Sequence, residues 1–256
     1  MAALSLPILI LLALFGLVGG VGITAIGPGG VLPTVGLFAF TGLSPAQVAG
    51  TAIVTHVATG ILGTAAYVRS GQLRTRQTRR LAIILAAAAA VGTPVGVLLN
   101  RIAPKSVFGV LLGLLLVAVA VLLLVRDAVR SSGDRSHPGA LLAAILGFGV
   151  ALVAGLVGIG GPMLAVPILV SIGVPVLEAL AAAQLQSIIV AGVGTIGYAA
   201  AGSIDWPLAL LVGIPELAGV LIGWKLARAL PPRVLKYLMI AALLILAPYV
   251  VYQGFA

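Results

Sequence analysis

Long apolar stretches follow one another along almost the whole chain, each closed by a short polar or basic joint. Eight are long enough to cross a bilayer as helices, at about 5–26, 46–68, 81–99, 106–126, 139–158, 178–200, 207–224 and 235–254, since a span needs about 20 apolar residues. Two shorter apolar pieces, 29–42 and 163–174, fall below that length and predict re-entrant or broken segments. Each follows a helix-breaking cluster set inside an apolar run: IGPGGVLP at 26–33 and GGPMLAVP at 160–167. The polar linker RDAVRSSGDRSHPG, at 126–139, lies near the middle of the chain.

A midpoint linker suggests duplication. Three patterns recur in the same order on its two sides. Gly27-Pro28-x4-Pro33 matches Gly161-Pro162-x4-Pro167, and Gly63-Thr64-x2-Tyr67-x3-Gly71 matches Gly194-Thr195-x2-Tyr198-x3-Gly202. Gly92-x3-Gly96-x4-Arg101-x2-Pro104 matches Gly219-x3-Gly223-x4-Arg228-x2-Pro231. The expected architecture is therefore an all-α polytopic membrane protein of two homologous repeats. Residues 1–126 form the first transmembrane repeat, 127–138 a polar cytoplasmic linker and 139–256 the second transmembrane repeat, each repeat carrying one Gly/Pro-broken or re-entrant segment.

Basic loops orient such a chain, because Lys and Arg favour the cytoplasm. Five basic residues lie at 69–80, two at 101–105, three at 126–135 and four at 225–236. Four crossings per half would make the repeats parallel and divide the charges eight against six. An odd number makes them inverted and divides the charges twelve against two, so inversion is expected. A re-entrant hairpin of 5–26 with 29–42, or one full extra crossing, supplies the odd count.

Composition narrows the class. Of 256 residues 62% are hydrophobic and 7% charged, with mean hydropathy +1.30, whereas soluble domains carry roughly a quarter charged residues. The first basic residue is Arg69, so the initial apolar run lacks the positive flank of a signal peptide and reads as a retained membrane segment. With no cysteine, disulfides, thiolate metal sites and cysteine catalysis are excluded. A net charge of +9 belongs to the cytoplasmic loops, and no nucleic-acid partner is expected.

Irregular backbone at membrane depth is tolerated where it is buried in protein or lines a cavity, and paired breaks in inverted repeats point to a transporter's binding site. Proline opens a new half-helix in each cluster. The N–H groups of Gly29, Gly30 and Val31, and of Met163, Leu164 and Ala165, would head these half-helices, whose positive ends bind anions without a cationic side chain. Close helix packing through small residues is the alternative. Intramembrane polar residues add to the candidate site. Thr51, Thr55 and Thr59 share a stripe with His56 beside it, and the counterpart helix carries Gln184, Gln186 and Ser187. His56 reads as an anion ligand, a proton carrier or an inter-helix donor. Glu216, mid-segment after Pro215, reads as a proton-coupling residue or as a structural hydrogen-bond partner. Glu178 and Asp205 lie at segment ends and are expected to be solvated, while Trp206, Trp224, Tyr67, Tyr198 and Tyr237 are expected at the interfaces.

The duplicated Gly-rich break ending in proline, then a helix with small and hydroxyl residues and a Tyr-x3-Gly end, resembles the TauE/SafE sulfite exporter family over essentially the whole chain. The resemblance implies a multi-pass permease of the cell inner (plasma) membrane that moves small sulfur-containing anions such as sulfite, sulfonates or sulfoacetate. Where family breaks often read Gly-x-Gly-Gly-Gly, this chain has GITAIGPGG and GIGGPM, and it has AQLQSI where a Gly-Thr-Ser stretch is common. The candidate substrate-binding residues are Gly27, Pro28, Gly29, Gly30, Thr51, Thr55, His56, Gly161, Pro162, Met163, Gln184, Gln186 and Ser187, with Glu216 as the proton-coupling candidate. No catalytic residue, metal or cofactor is expected: five carboxylates and two histidines spread over the chain do not form the convergent set an enzyme needs. Expected partners are a small anionic substrate and the lipid bilayer, a homodimer being compatible with the sequence. A membrane subunit of a multi-component permease, or a transporter of an unrelated small anion, is the alternative.

Overall fold

The computed structural model describes residues 4–25, 27–129, 137–229 and 232–256. Ten α-helices account for nearly all of them: α1 (Leu6–Ala25), α2 (Leu32–Phe40), α3 (Pro45–Arg69), α4 (Arg76–Ile102), α5 (Lys105–Val129), α6 (Ala140–Val157), α7 (Pro162–Ser171), α8 (Val176–Ala200), α9 (Trp206–Ala229) and α10 (Pro232–Phe255). A 3₁₀ turn at Pro28–Val31 precedes α2, another at Gln72–Arg74 precedes α4, and there is no strand among the described residues. Eight of the helices are long and apolar enough to cross a membrane, and the chain is a multi-pass membrane protein. Large apolar side chains such as Ile10, Leu14, Val18, Leu114, Ile214 and Ile245 stand exposed along the helices, which suits a lipid surround rather than water.

Local chemistry sets the helix ends. Ser44 and Gln47 form a capping box at the start of α3, with Pro45 at its first turn. Thr75 caps α4, which carries that helix back through Arg76, Arg79 and Arg80, five residues further than the apolar pattern reaches. Asp205 caps α9 by accepting from the Leu208 N–H at 3.1 Å. Gly71 and Gly202, both at positive φ, follow the ends of α3 and α8.

Packing follows a paired scheme. α1 lies along α9, α4 along α6, α5 against α10, and α3 crosses α8. Small residues bring the first two pairs into backbone contact: Gly16 and Gly20 meet Val212 and Glu216, while Gly219 and Gly223 meet Leu17 and Val21. Likewise Gly92 and Gly96 meet Phe148 and Leu152, and Gly155 meets Thr93. In both pairs residue numbers rise together, so the partners run parallel. The α3–α8 pair is antiparallel, because Gly50 faces Tyr198, Gly60 faces Ile188 and Gly63 faces Gln184.

The second short helix retraces the first. Gly29 lies against Gly22 and Gly19, Pro33 against Gly19, and Gly36 against Phe15, with the Phe15 and Phe40 ring centroids 5.7 Å apart. α2 therefore runs back along α1 from the Gly/Pro break.

Two expectations change. Tyr198 is fully buried rather than interfacial, its hydroxyl donating to the Gly155 carbonyl at 2.7 Å. Glu178 is not simply solvated: the Thr78 hydroxyl donates to it, and His137 Nε2 lies 2.9 Å from its carboxylate. Trp206 and Tyr237 are exposed. Residues 130–136 of the linker, and the side chains of Trp224, Lys225, Arg228 and Arg233, lie outside the described residues.

Candidate functional site

The two Gly/Pro breaks meet around a small cavity. It is lined from the first break by Gly27 and Gly30, from the second by Gly160, Pro162 and Met163, and from the crossing helices by His56 and Thr59 of α3 and Gln184 and Ser187 of α8, together with Ile23 of α1. The space left to the centre of a water molecule is about 10 Å³, room for one water. No Lys or Arg among the described residues lines it.

The backbone is shaped for this meeting. Gly27 has φ 112° and closes α1 by donating its N–H to the Gly22 carbonyl at 2.9 Å. Gly158, at φ 81°, ends α6, and a side chain there would overlap the Ala49 backbone. At the head of α7 the Ala165 N–H bonds the Gly161 carbonyl at 3.1 Å, so of the three amides expected to be free there Met163 and Leu164 remain without an acceptor among the described residues. At the first break the Gly30 carbonyl is turned toward the site: it lies 3.0 Å from His56 Nε2.

His56 is the centre of the arrangement. Its ring sits between the breaks, so close that a methyl group on Gly30 would stand 3.2 Å from Cε1, and one on Gly160 would stand 3.6 Å from Cγ. Its other nitrogen, Nδ1, lies 3.0 Å from Glu216 Oε1, and the two side chains are 1% and 0% exposed. That contact has charge-pair distance without hydrogen-bond alignment, so neither carboxylate oxygen of Glu216 has a hydrogen-bond partner among the described residues. A carbonyl can only accept, which places a proton on Nε2 and leaves Nδ1 as the ring nitrogen that faces the Glu216 carboxylate.

The other candidates divide. Gln184, 4% exposed, lines the cavity and makes no hydrogen bond to the described residues. Ser187 also lines it, its oxygen accepting from the Gly161 N–H at 3.3 Å. Gln186 does not reach the cavity: its amide donates to the Gly147 carbonyl of α6 at 3.0 Å. Thr51 accepts from the Asp205 N–H at 2.9 Å, and Thr55 donates back to the Ala52 carbonyl at 2.8 Å, a common habit of helical threonine. Pro28 and Gly29 are not among the lining residues, and Gly29 packs on α1. Among the described residues no group of three or more His, Cys, Asp or Glu is placed to hold a metal.

A model of the sulfite exporter TauE/SafE family matches residues 12–250. The chain belongs to that family. It is also 28% identical over 153 residues to a "Probable membrane transporter protein y4hK" of Sinorhizobium fredii (strain NBRC 101917 / NGR234), an alignment that takes in 57% of this chain and 58% of the relative's length. No solved structure matches.

Two features of this TauE/SafE chain escape its sequence. One is the pairing of His56 with Glu216, which stand 160 positions apart. The other is the end of α6. The last carbonyls of a helix lack intrahelical donors, and side chains from three helices serve them: Tyr198 of α8 on Gly155 at 2.7 Å, Asn100 of α4 on Leu156 at 2.6 Å and Thr34 of α2 on Gly158 at 2.9 Å. Asn100 and Thr34 carry no sequence signal for this. They satisfy the backbone where no bulk water can.

Proposed function

We propose that this protein is a secondary transporter of small sulfur-containing oxyanions, sulfite or sulfonates among them, in the plasma (inner) membrane. The observation that carries the reading is the cavity between the breaks, lined by neutral donors and one histidine. Gln184 offers two free N–H donors and Ser187 and Thr59 offer hydroxyls, while the α7 head adds the amides of Met163 and Leu164 with the positive end of its helix dipole. A buried anion can be met this way without lysine or arginine.

The same reading makes residues 1–126 and 139–256 inverted halves joined by 127–138. Support comes from α2 running back along α1, which returns the chain to the side it entered and leaves α3, α4 and α5 as three crossings. Further support comes from the parallel α1–α9 and α4–α6 pairs, the antiparallel α3–α8 pair and the twelve-to-two charge division. A cavity with room for one water must widen before sulfite enters, so transport requires the halves to part at the breaks, first on one side and then on the other.

Gln184→Leu keeps the size and removes the donors. A hydrogen bond to a charged group contributes about 1.5–3 kcal/mol, so calorimetry on detergent-purified protein should show sulfite binding weakened about 10- to 100-fold. Unchanged affinity would place the substrate elsewhere. Flux through the purified chain alone in proteoliposomes separates a complete transporter from a subunit that needs a partner chain.

A further inference from the structure

We propose that His56 and Glu216 together carry one proton with each monoanion. This rests on the site reading just given and adds the coupling ion to it. The geometry makes the two residues one titrating unit. Nε2 of His56 is committed to the Gly30 carbonyl at 3.0 Å, so protonation can change only at Nδ1 and at the carboxyl of Glu216, 3.0 Å away. Among the described residues that line the cavity, no other one titrates. From α8 come Gln184 and Ser187, from α7 Met163, from α1 Ile23 and from α3 itself Thr59. Of the other carboxylates, Asp205 is held at the head of α9 beside Thr51 and Glu178 at the head of α8 by Thr78 and His137.

With one proton between them the pair is neutral overall, whether written as imidazolium and carboxylate or as imidazole and carboxylic acid. A neutral pair offers an anion no net attraction, and a buried uncompensated charge is strongly unfavourable. A second proton alone would leave a buried net positive charge. An anion alone would leave a buried negative one. Together they cancel, so each makes room for the other. The anion takes the place of the carboxylate beside the imidazolium, and Glu216 takes up a proton from the aqueous side by which the anion entered. Release on the other side returns both. Glu216 also stands where α1 meets α9, its carbonyl against Gly20, so a change in its charge falls on the contact between the halves.

The test is proton uptake on binding. Methanesulfonate is the probe, because it stays ionised across the working pH range and any proton taken up must reside on the protein. Calorimetry in buffers of different ionisation enthalpy should give about one proton per anion bound, with the dissociation constant rising about tenfold per pH unit on the alkaline side. His56→Gln keeps a donor but removes the cation, leaving Glu216 no partner to ionise against. Binding should weaken about tenfold or more, lose its pH dependence and take up no proton. Wild-type binding with zero uptake overturns the proposal, whatever the variant does. Uptake of one proton that persists in folded His56→Gln overturns it too. Failure of the wild type to bind either methanesulfonate or sulfite would instead overturn the site reading, and the proton carrier with it.

Discussion

Tyr198 shows what a single residue can hide. Near the end of an apolar stretch it resembles Tyr67, its repeat counterpart, and both look interfacial. Tyr67 is half-buried, but Tyr198 is 0% exposed. It is enclosed where Gly50 brings the α3 backbone against its ring, and its hydroxyl serves a carbonyl at the frayed end of α6. Pattern alone cannot separate the two, because the difference lies in which carbonyl is orphaned 43 positions upstream. Tyr198→Phe leaves that carbonyl buried and unpaired, a loss of about 1–3 kcal/mol. The variant should unfold at lower temperature in detergent, followed by circular dichroism. A melting temperature equal to wild type would mean that the Gly155 carbonyl finds water or another donor.

At the scale of elements, the helical segments were legible, and what holds their ends beside the Gly/Pro clusters was not. Eight apolar runs and two short ones reappear as ten helices, and the largest disagreements fall where charged residues continue a helix beyond its apolar core, as Arg76, Arg79 and Arg80 do in α4. The second break is maintained by Gly158 in the left-handed region together with Thr34 and Asn100 from other helices. A glycine in a glycine-rich chain and two isolated polar residues give no hint of this until the helices are assembled. Gly158→Ala should therefore be far more damaging than the same change at Gly149, where a methyl group meets nothing. The left-handed conformation alone costs about 1–2 kcal/mol for a residue with a Cβ, and overlap with the Ala49 backbone adds to it. Folded yield by size-exclusion chromatography should drop sharply for Gly158→Ala and stay near wild type for Gly149→Ala. Equal yields would show that the α6 end can re-form around a side chain. For the site, His56, Gln184 and Ser187 could be read as intramembrane polar residues, and the structure brings them to one cavity. Thr51, Thr55 and Gln186 carried the same signal, but their polar groups serve neighbouring backbone.

Over the whole molecule, orientation follows from counting crossings, and the counting turns on α1 with α2. If they form a hairpin that returns to its starting side, helices α3, α4 and α5 carry the chain across three times, and the second half starts from the opposite face. Loops 69–80, 126–138 and 225–236 then share the cytoplasmic side, while the loop at 101–105 faces outward. If α1 were a full crossing with α2 lying beside it, each half would cross four times, and 225–236 would share the outer side with 101–105. The chain has no cysteine, so single cysteines introduced at Ser70, Pro104 and Pro232 report one site each. In intact cells an impermeant thiol reagent should label position 104 alone, and positions 70 and 232 should become reactive only after the membrane is opened. Labelling of 232 from outside together with 104, with 70 still protected, would make the halves parallel. It would also remove the basis for two half-helices that enter from opposite faces and meet at His56.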